Sequence, residues 1–224
     1  MGFLSLLFLF GLSTATRADP VRSRAPLDAA AYESITGDSV DDDHGVWDSF
    51  YKKRNHAFGK EPVAFLKEHL RNLRKGRAFV PAMGEGRNAI FLAKSGFKVD
   101  GVDLSSVAVD RAVEEALAQK TSIKGVVADL FQYQYQKETY DLVFVSLFYA
   151  APLVPKFKSI LKRGGFLMMY LKLDTGKPSR KNSPDDFLVR ASELKSDVAD
   201  LELVDYREFR DRNGDVVAVL ARKK

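Results

Sequence analysis

The stretch from Arg77 to Ser105 constrains the possible fold more than any other part of this sequence. It contains two apolar runs of strand length, with a glycine turn and an apolar-faced helix between them. In chain order the predicted elements are a buried strand at Ala78–Val80, the turn Gly84-Glu85-Gly86, a helix at Asn88–Lys94 stopped by Gly96, and a strand at Phe97–Val102 followed by Asp103. A unit of strand, turn, helix and strand is typical of α/β proteins with a parallel sheet.

The same stretch predicts a site for a nucleoside cofactor. Glycines permit a sharp turn and the close approach of a ligand, and the following helix N-terminus offers unpaired amides to an anionic group. A carboxylate at the end of the second strand, here Asp103, can accept hydrogen bonds from both hydroxyls of a ribose. Gly84, Gly86 and Ala89 also fit the dinucleotide pattern G-x-G-x-x-G/A, with the acid at the expected spacing of about 20 residues. The pattern alone therefore leaves a nicotinamide cofactor open, and also a helix cap without a ligand.

The composition narrows the classes of protein and partner. With 224 residues, 46% of them apolar, the chain is long enough for one domain with a substantial core. The absence of cysteine excludes disulfides, thiolate metal sites and a cysteine nucleophile. The net charge of +5 is compatible with an anionic substrate or a nucleic acid, but the basic residues are scattered, which favours plain solubility. We expect a monomer that acts on a small molecule, with no nucleic-acid partner and no metal.

The N-terminal residues differ in composition from the rest of the chain. Gly2–Leu12 is almost wholly apolar but shorter than the about 20 residues that span a bilayer, and it suits the core of a signal peptide. We expect residues 1–18 to be a signal-peptide-like or anchor segment, which predicts an exported or membrane-anchored protein. Because no Lys or Arg precedes the apolar run, a start codon assigned too early, in a cytoplasmic protein, stays open. Residues 19–44 predict a polar linker, and the folded domain is expected at 45–224.

Further apolar runs predict the rest of an α/β domain. Trp47, Phe50 and Tyr51 fall at helical spacing, and Pro62 is predicted to open a second helix. In chain order the other predicted elements are a helix at Val107–Gln119 capped by Ser105, strands at Lys124–Ala128 and Tyr140–Ser146, a helix at Val154–Leu161 ended by Gly164-Gly165, a strand at Phe166–Leu171, a helix at Asp185–Leu194, and strands at Leu201–Phe209 and Asp215–Ala221. Asn213-Gly214 between the last two strands is a strong hairpin signal.

Strands that alternate with helices predict an α/β, doubly wound, mostly parallel sheet, to which the terminal hairpin adds an antiparallel strand. Ligands bind such sheets at the carboxyl ends of the strands, where the winding reverses. By the assignment above, those ends carry Gly84, Asp103, Asp129 and Ser146.

Four pieces of the sequence resemble one family. They are WDSFYKKRNHAFGKEPVAFL, VPAMGEGRNAIFLAKSGFKVDGVDLS, ADL at Ala128–Leu130, and the ending with its hairpin. Over about Trp47 to Lys223 the chain resembles the class I S-adenosylmethionine-dependent methyltransferases, and in particular the branch with tellurite-resistance and thiopurine S-methyltransferase-like proteins. The resemblance implies a Rossmann-like, seven-stranded sheet whose last two strands form a hairpin, with S-adenosylmethionine as cofactor.

The resemblance also implies a set of cofactor-binding positions. The family's glycine motif falls on Val80–Gly86, where Val80 replaces an Asp and Ala82 replaces the first Gly. Asp103 matches the acid that holds the ribose hydroxyls, and Asp129 the acid that faces the adenine amino group. The full set is Trp47, Pro81, Ala82, Gly84, Gly86, Asp103, Leu104, Asp129, Leu130 and Ser146. The second acid, Asp129, distinguishes this pattern from that of a nicotinamide enzyme.

The expected activity is methyl transfer to a small soft nucleophile, a thiol or a chalcogen anion. The Val-Pro variant of the glycine motif resembles the thiol and thiopurine branch, and no constellation of general bases is visible, so no catalytic residue is assigned. Cytosine C5 methylation is excluded because it needs a cysteine. His56 is a weak candidate at the mouth of the site, and His69 is expected at the surface. The alternatives are a cofactor-binding protein without turnover and an NAD-binding Rossmann protein.

Overall fold

A computed structural model of the chain describes residues 40–176 and 187–224, with side chains from residue 44 onward. Its helices are α1 (Val40–Lys53), α2 (Ala64–His69), α3 (Arg87–Lys94), α4 (Ser106–Ala118), α5 (Val154–Ile160) and α6 (Ala191–Asp197). Its strands are β1 (Arg77–Pro81), β2 (Lys98–Asp103), β3 (Lys124–Val127), β4 (Tyr140–Ser146), β5 (Leu161–Leu173), β6 (Leu188–Val189), β7 (Glu202–Asp211) and β8 (Gly214–Arg222). Short 3-10 turns at Leu70–Asn72 and Ala151–Leu153 follow α2 and precede α5.

The strands form one sheet in the order β3-β2-β1-β4-β5-β8-β7. The first five of these are parallel, whereas β8 runs antiparallel to β5 and to β7. The predicted doubly wound, mostly parallel sheet with a C-terminal antiparallel hairpin is therefore confirmed, and the two-residue β6 adds a further parallel pairing beside β5. Since the chain winds outward in opposite directions from β1 and β4, the switch point lies between these two strands.

Helices cover both faces of the sheet because the central strands are apolar on both sides. On one face α2, α3 and α4 pack against the sheet through residues such as Leu66, Leu92 and Ala112. On the other face α5 and α6 contribute Phe157 and Leu194. Each large side chain buried in these layers stabilises the fold by roughly 1.5–3 kcal/mol relative to an exposed one.

Two predicted element ends are wrong. The second helix begins at Ala64 rather than at Pro62. Gly164 and Gly165 do not end a helix, because α5 stops at Ile160 and both glycines lie within β5. A Cβ on Gly165 would lie 3.0 to 3.3 Å from three backbone carbonyl oxygens, so glycine is needed there for close backbone packing.

The predicted helix at Asp185–Leu194 is wrong for the residues before Ala191 that the structure describes. Leu188–Val189 instead form β6, and α6 begins only at Ala191. Val189 is fully buried in the apolar layer beneath the sheet, so its contact with β5 decides the local structure.

The predicted C-terminal hairpin is confirmed, with its loop one residue earlier than the Asn213-Gly214 signal indicates. Asp211 pairs with Gly214, which leaves Arg212 and Asn213 as the loop. Gly214 has φ +98°, a conformation that glycine adopts without strain.

Of the predicted N-terminal segments, the structure describes only the last residues of the linker, from residue 40 onward. The helix α1 begins at Val40, so the last residues of the predicted linker 19–44 are helical. Residues 1–18, most of the linker and residues 177–186 lie outside the described residues. Within the described ranges, no helix combines the length and apolar character that crossing a membrane requires.

Candidate functional site

The glycine turn after β1 has a backbone that glycine suits. Gly84 and Gly86 have φ +55° and +79°. A Cβ on Gly84 would lie 2.8 Å from the hydroxyl of Tyr51, and one on Gly86 would lie 2.7 Å from the Cβ of Ala112. Ala82 has φ +46°, which is unfavourable for a residue with a Cβ. The turn thus keeps the shape of a glycine-rich loop although one of its glycine positions is an alanine.

Asp103 lies at the carboxyl end of β2 and faces this turn. Its carboxylate accepts a hydrogen bond from the backbone N–H of Gly84 at 2.7 Å and another from that of Ser105 at 2.9 Å. Burial raises the pKa of Asp103, and the two N–H donors oppose that increase. Each oxygen has a lone pair beyond the one that these bonds use, so the carboxylate can still accept from a ligand.

Helix α1 is tied to the start of α4 beside this carboxylate. Asp48 accepts hydrogen bonds from the hydroxyls of Ser105 at 2.6 Å and Ser106 at 3.0 Å, and from the backbone N–H of Val107 at 3.3 Å. Burial alone would raise the pKa of Asp48, but these donors hold it below its ordinary value. Ser105 also caps α4, as predicted, through the N–H of Ala108.

The loop after α1 is fastened to the glycine turn through Glu85. The Glu85 carboxylate accepts from the backbone N–H groups of His56 at 3.0 Å and Ala57 at 2.9 Å. Arg111 of α4 donates to the same carboxylate at 3.1 Å and to the carbonyl of Tyr51 at 2.7 Å. We call α1 and this loop, residues 40–58, the strap.

The other predicted cofactor-side residues lie around the same edge. Trp47 is half-buried on the strap, with its ring 5.4 Å from that of Phe50 and 6.1 Å from that of Tyr51. Asp129 follows β3, the strand next to β2, and accepts from the N–H of Phe131 at 2.8 Å. Leu130 beside it is buried. The residues predicted after β1, β2 and β3 therefore share one edge of the sheet.

On the other side of the switch point, Ser146 ends β4. Its hydroxyl accepts a hydrogen bond from the side-chain nitrogen of Asn88 at 3.0 Å, and the side-chain oxygen of Asn88 accepts from the backbone N–H of Val63 at 3.0 Å. Tyr170 of β5 is paired with Ser146 across the strands. The Tyr170 hydroxyl bonds to Asp211, and the side chain of Asn213 donates to it at 2.8 Å. The terminal hairpin thus reaches this edge.

The glycine turn and the strands around it also match a known domain. The model of the methyltransferase domain family matches residues 81–165, less than half of the chain. Over these residues the chain is similar to methyltransferase domains. The predicted class I methyltransferase fold is confirmed at this level, whereas the tellurite-resistance and thiopurine branch stays a prediction.

The similarity to one curated relative extends beyond these residues. Hemagglutinin 1 of Eikenella corrodens is 25% identical over 181 residues, which cover 75% of this chain and 60% of that protein. The chain therefore spans about three fifths of the length of this relative.

Solved structures share the fold of the whole described domain. TehB from Haemophilus influenzae is 19% identical, with a TM-score of 0.63 over 80% of this chain and 67% of that chain. A protein that converts a disulfide bond into a thioacetal group during echinomycin biosynthesis is 21% identical, with a TM-score of 0.60 over 80% and 91%. Magnesium protoporphyrin IX methyltransferase from Synechocystis, solved with bound S-adenosylhomocysteine, is 17% identical, with a TM-score of 0.61 over 81% and 97%.

Sequence reasoning missed two polar residues that link α3 and β5 to distant parts of the chain. Asn88 follows the glycine motif but was predicted only as part of a helix, and Tyr170 was predicted only as part of a strand. Their partners are 58 and 41 residues away in the chain, and no local pattern predicts such pairs.

The contacts decide the prediction for His69, whereas the one for His56 stays a prediction. The prediction that His69 is a surface residue is wrong, because its side chain is only 12% exposed and its Nε2 lies 2.9 Å from Asp205 of β7. His56 has φ +53°, and its backbone N–H is engaged by Glu85. Among the described residues, no group of three or more His, Asp or Glu side chains is arranged to hold a metal ion.

Proposed function

We propose that this chain transfers a methyl group from S-adenosylmethionine to a small soft nucleophile, a thiol or a chalcogen anion. The observation that carries the proposal is the buried Asp103 carboxylate, held against the glycine turn at the switch point of a methyltransferase domain. A carboxylate in this position suits the two hydroxyls of a ribose.

The residues present fit such a cofactor. Asp103 would accept from the ribose, Asp129 would face the adenine amino group, and the glycine turn would lie against the amino-acid end. Trp47 and Tyr51 of the strap would cover the ligand from the side of α1. When bound, the cofactor supplies a methyl group on a sulfonium sulfur, and the acceptor thiolate takes it while a neutral thioether leaves. The protein then needs mainly to orient the two reactants and exclude water.

We call the part of the sheet edge formed by Ser146, Tyr170 and the terminal hairpin the acceptor edge, or acceptor side. Its side chains favour a nucleophile that ionises by itself. Burial, followed by the bond to Asp211, raises the pKa of the Tyr170 hydroxyl, so this group stays protonated and cannot remove a proton. The hydroxyl of Ser146 is engaged by Asn88. Thiols lose their proton near neutral pH far more readily than alcohols or amides do, so they need no base from the protein. One structural relative also acts at sulfur, since it converts a disulfide into a thioacetal.

A panel of acceptors tests this function. We expect methyl transfer to small thiols, with a rate that rises with pH toward the pKa of each thiol. Amines, phenols and short RNAs at the same concentration serve as competing classes. Activity confined to amines or RNA would contradict the proposed acceptor, and cofactor binding without transfer to any acceptor would favour a binding protein without turnover. Preferential binding of NAD would overturn the cofactor assignment.

We also propose that residues 1–18 direct the protein to the cell exterior or anchor it to a membrane, and that the folded domain is monomeric. The apolar run at residues 2–12 supports the first part. A chain that begins at Asp19 should melt at the same temperature as the full chain and elute as a monomer. Cell fractionation that finds the full chain only in the cytosol would contradict the proposed location.

A further inference from the structure

We propose that Arg87 and Arg212 form an anion-recognising pair at the acceptor edge, so that the methyl acceptor carries a carboxylate or similar anionic group beside its nucleophile. This inference rests on the proposed function, because it names a property of the acceptor in that reaction. It assigns roles to two residues that belong to neither the glycine motif nor the acids of the cofactor side.

The two guanidinium groups converge on one short stretch of backbone. Arg87 is the first residue of α3, and its side chain donates to the carbonyl of Phe58 at the end of the strap. Arg212 lies in the loop of the terminal hairpin, and a Cβ placed on the adjacent Gly59 would lie 3.8 Å from both of its terminal nitrogens. Two cations from distant parts of the chain therefore meet over Phe58 and Gly59.

This meeting point lies on the acceptor side of the switch point. Arg87 directly precedes Asn88, whose side chain contacts the hydroxyl of Ser146. Arg212 directly precedes Asn213, whose side chain contacts the hydroxyl of Tyr170. Because Ser146 and Tyr170 are cross-strand partners at the carboxyl ends of β4 and β5, both arginines are anchored next to the same edge.

Neither arginine has an ion-pair partner in the described part of the chain, in contrast to Arg77, Arg111 and Arg207. Burial, followed by the charge of the nearby Arg212, lowers the pKa of the Arg87 guanidinium. Asp211 offsets part of this charge, but its carboxylate already accepts from the Tyr170 hydroxyl and the N–H of Asn213.

Two nearby cations, one of them half-buried, are unfavourable until an anion joins them. The planar guanidinium binds carboxylates and other oxyanions through two parallel hydrogen bonds, which fix the orientation of the anion in addition to attracting its charge. A small thiol with a carboxylate could bind the pair through its oxygens and present its sulfur toward Ser146. The pair would thus select the acceptor rather than take part in the transfer.

The test uses two acceptors of similar size, mercaptoacetate and its neutral amide, mercaptoacetamide, with each KM expressed per concentration of thiolate and the full chain saturated with S-adenosylmethionine. We expect the wild type to prefer mercaptoacetate. Arg212→Gln should raise the KM for mercaptoacetate about 10-fold to 100-fold while leaving the KM for the amide and for the cofactor unchanged. Arg212→Lys keeps the charge but not the planar guanidinium, so its KM for mercaptoacetate should lie between those of the wild type and Arg212→Gln.

Arg210→Gln is the matched control, because Arg210 lies on the same hairpin, is largely exposed and pairs loosely with Asp215 at 3.8 Å. It removes the same charge and should leave both KM values unchanged. An equal effect of Arg210→Gln, or no preference for mercaptoacetate in the wild type, would overturn the inference.

Calorimetric titration with mercaptoacetate and its amide separates this inference from the proposed function. Suppose that no thiol is methylated, but that mercaptoacetate binds more tightly than its amide and Arg212→Gln abolishes this difference. The proposed activity is then wrong, and the proposed anion site is supported. If thiols are methylated without regard to charge, the activity stands and the anion site is wrong.

Discussion

The cofactor side and the acceptor side of this sheet edge are built in different ways. On the cofactor side, the glycine turn, Asp103 and the start of α4 lie within one stretch of the chain, and their polar groups bond to one another. On the acceptor side, Asn88, Ser146, Tyr170 and the hairpin come from four distant segments. The first side is a preformed seat for one ligand, whereas the second is assembled from side chains that can vary independently.

This difference bears on specificity. A change in the hairpin loop should alter the acceptor side more than the glycine turn, because Asn213 bonds to Tyr170 and Arg212 lies beside Gly59, whereas neither contacts the turn directly. A change in the turn, by contrast, moves the Asp103 carboxylate, which we propose to hold the cofactor. We therefore expect cofactor binding to be sensitive to few positions and acceptor choice to depend on several, and the following variants test this division.

The largest effect is expected from Asp103→Ala. It removes the carboxylate acceptor for the ribose and leaves the N–H groups of Gly84 and Ser105 without their partner. Affinity for S-adenosylmethionine should fall by roughly 1–3 kcal/mol in calorimetry. Arg212→Gln is the control from the acceptor side and should bind the cofactor like the wild type. Unchanged affinity in Asp103→Ala would remove the basis for the cofactor seat.

A smaller effect is expected from Asp48→Ala on the strap. Asp48 caps the first turn of α4 from outside through three hydrogen bonds, so its loss should lower the free energy of unfolding by about 1–2 kcal/mol. Thermal or denaturant unfolding measures this loss. Asp110→Ala, on the exposed face of α4, removes the same group and should change stability by less than about 0.5 kcal/mol.

The pH dependence of cofactor binding distinguishes the two sides further. Burial raises the pKa of Asp103, so the folded protein takes up this proton at a higher pH than the unfolded chain does. The contribution of this group to stability is therefore complete below its unfolded pKa and is lost as pH rises through the folded pKa. The affinity for the cofactor changes with pH in the opposite direction, because the ribose hydroxyls would donate hydrogen bonds to the ionised carboxylate.

Below the raised pKa, affinity for the cofactor should fall by up to about tenfold per pH unit. Calorimetry of the wild type and of Asp103→Asn checks this, since the amide does not titrate and should give a nearly flat profile. A wild-type profile as flat as that of Asp103→Asn would show that the carboxylate does not contact the ligand.

The smallest effect is expected from Ala82→Gly. The left-handed conformation costs Ala82 about 1–2 kcal/mol, and glycine avoids this cost but loses about 0.5–1 kcal/mol through the entropy of the unfolded chain. The net result should be a gain in stability of about 0.5–1 kcal/mol in thermal unfolding. Ala93→Gly within α3 is the control of opposite sign, because glycine there weakens a helix. A loss of stability in Ala82→Gly would show that its φ of +46° is not strained.

The sequence predicts well which strand ends carry the glycine turn and Asp103, because the signals for them are local. The apolar runs, the glycines and the acid all lie between Arg77 and Asp103, so their spacing determines which strand ends meet. The predicted sites at Asp129 and Ser146 follow from the same rule, since both end strands of a parallel sheet.

The acceptor side was not predictable because its partners are chosen by tertiary packing. Arg87 could be recognised as a helix residue and Arg212 as a hairpin residue, but nothing in either pattern indicates that both reach Phe58 and Gly59. The wrong assignment at Val189 has the same origin, because burial against β5 outweighs the helical pattern of its neighbours.

Glu85 occupies the variable position between the two glycines, yet its carboxylate, only 10% exposed, holds the strap through two N–H groups and Arg111. A ligand bound against the glycine turn and a strap fastened to that turn would stabilise the same conformation of the turn. Such coupling is reciprocal: the factor by which the fastened strap increases the affinity for the ligand equals the factor by which the ligand stabilises the fastened strap. A substitution such as Glu85→Gln would therefore register as a change in ligand residence time, although the residue touches neither reactant.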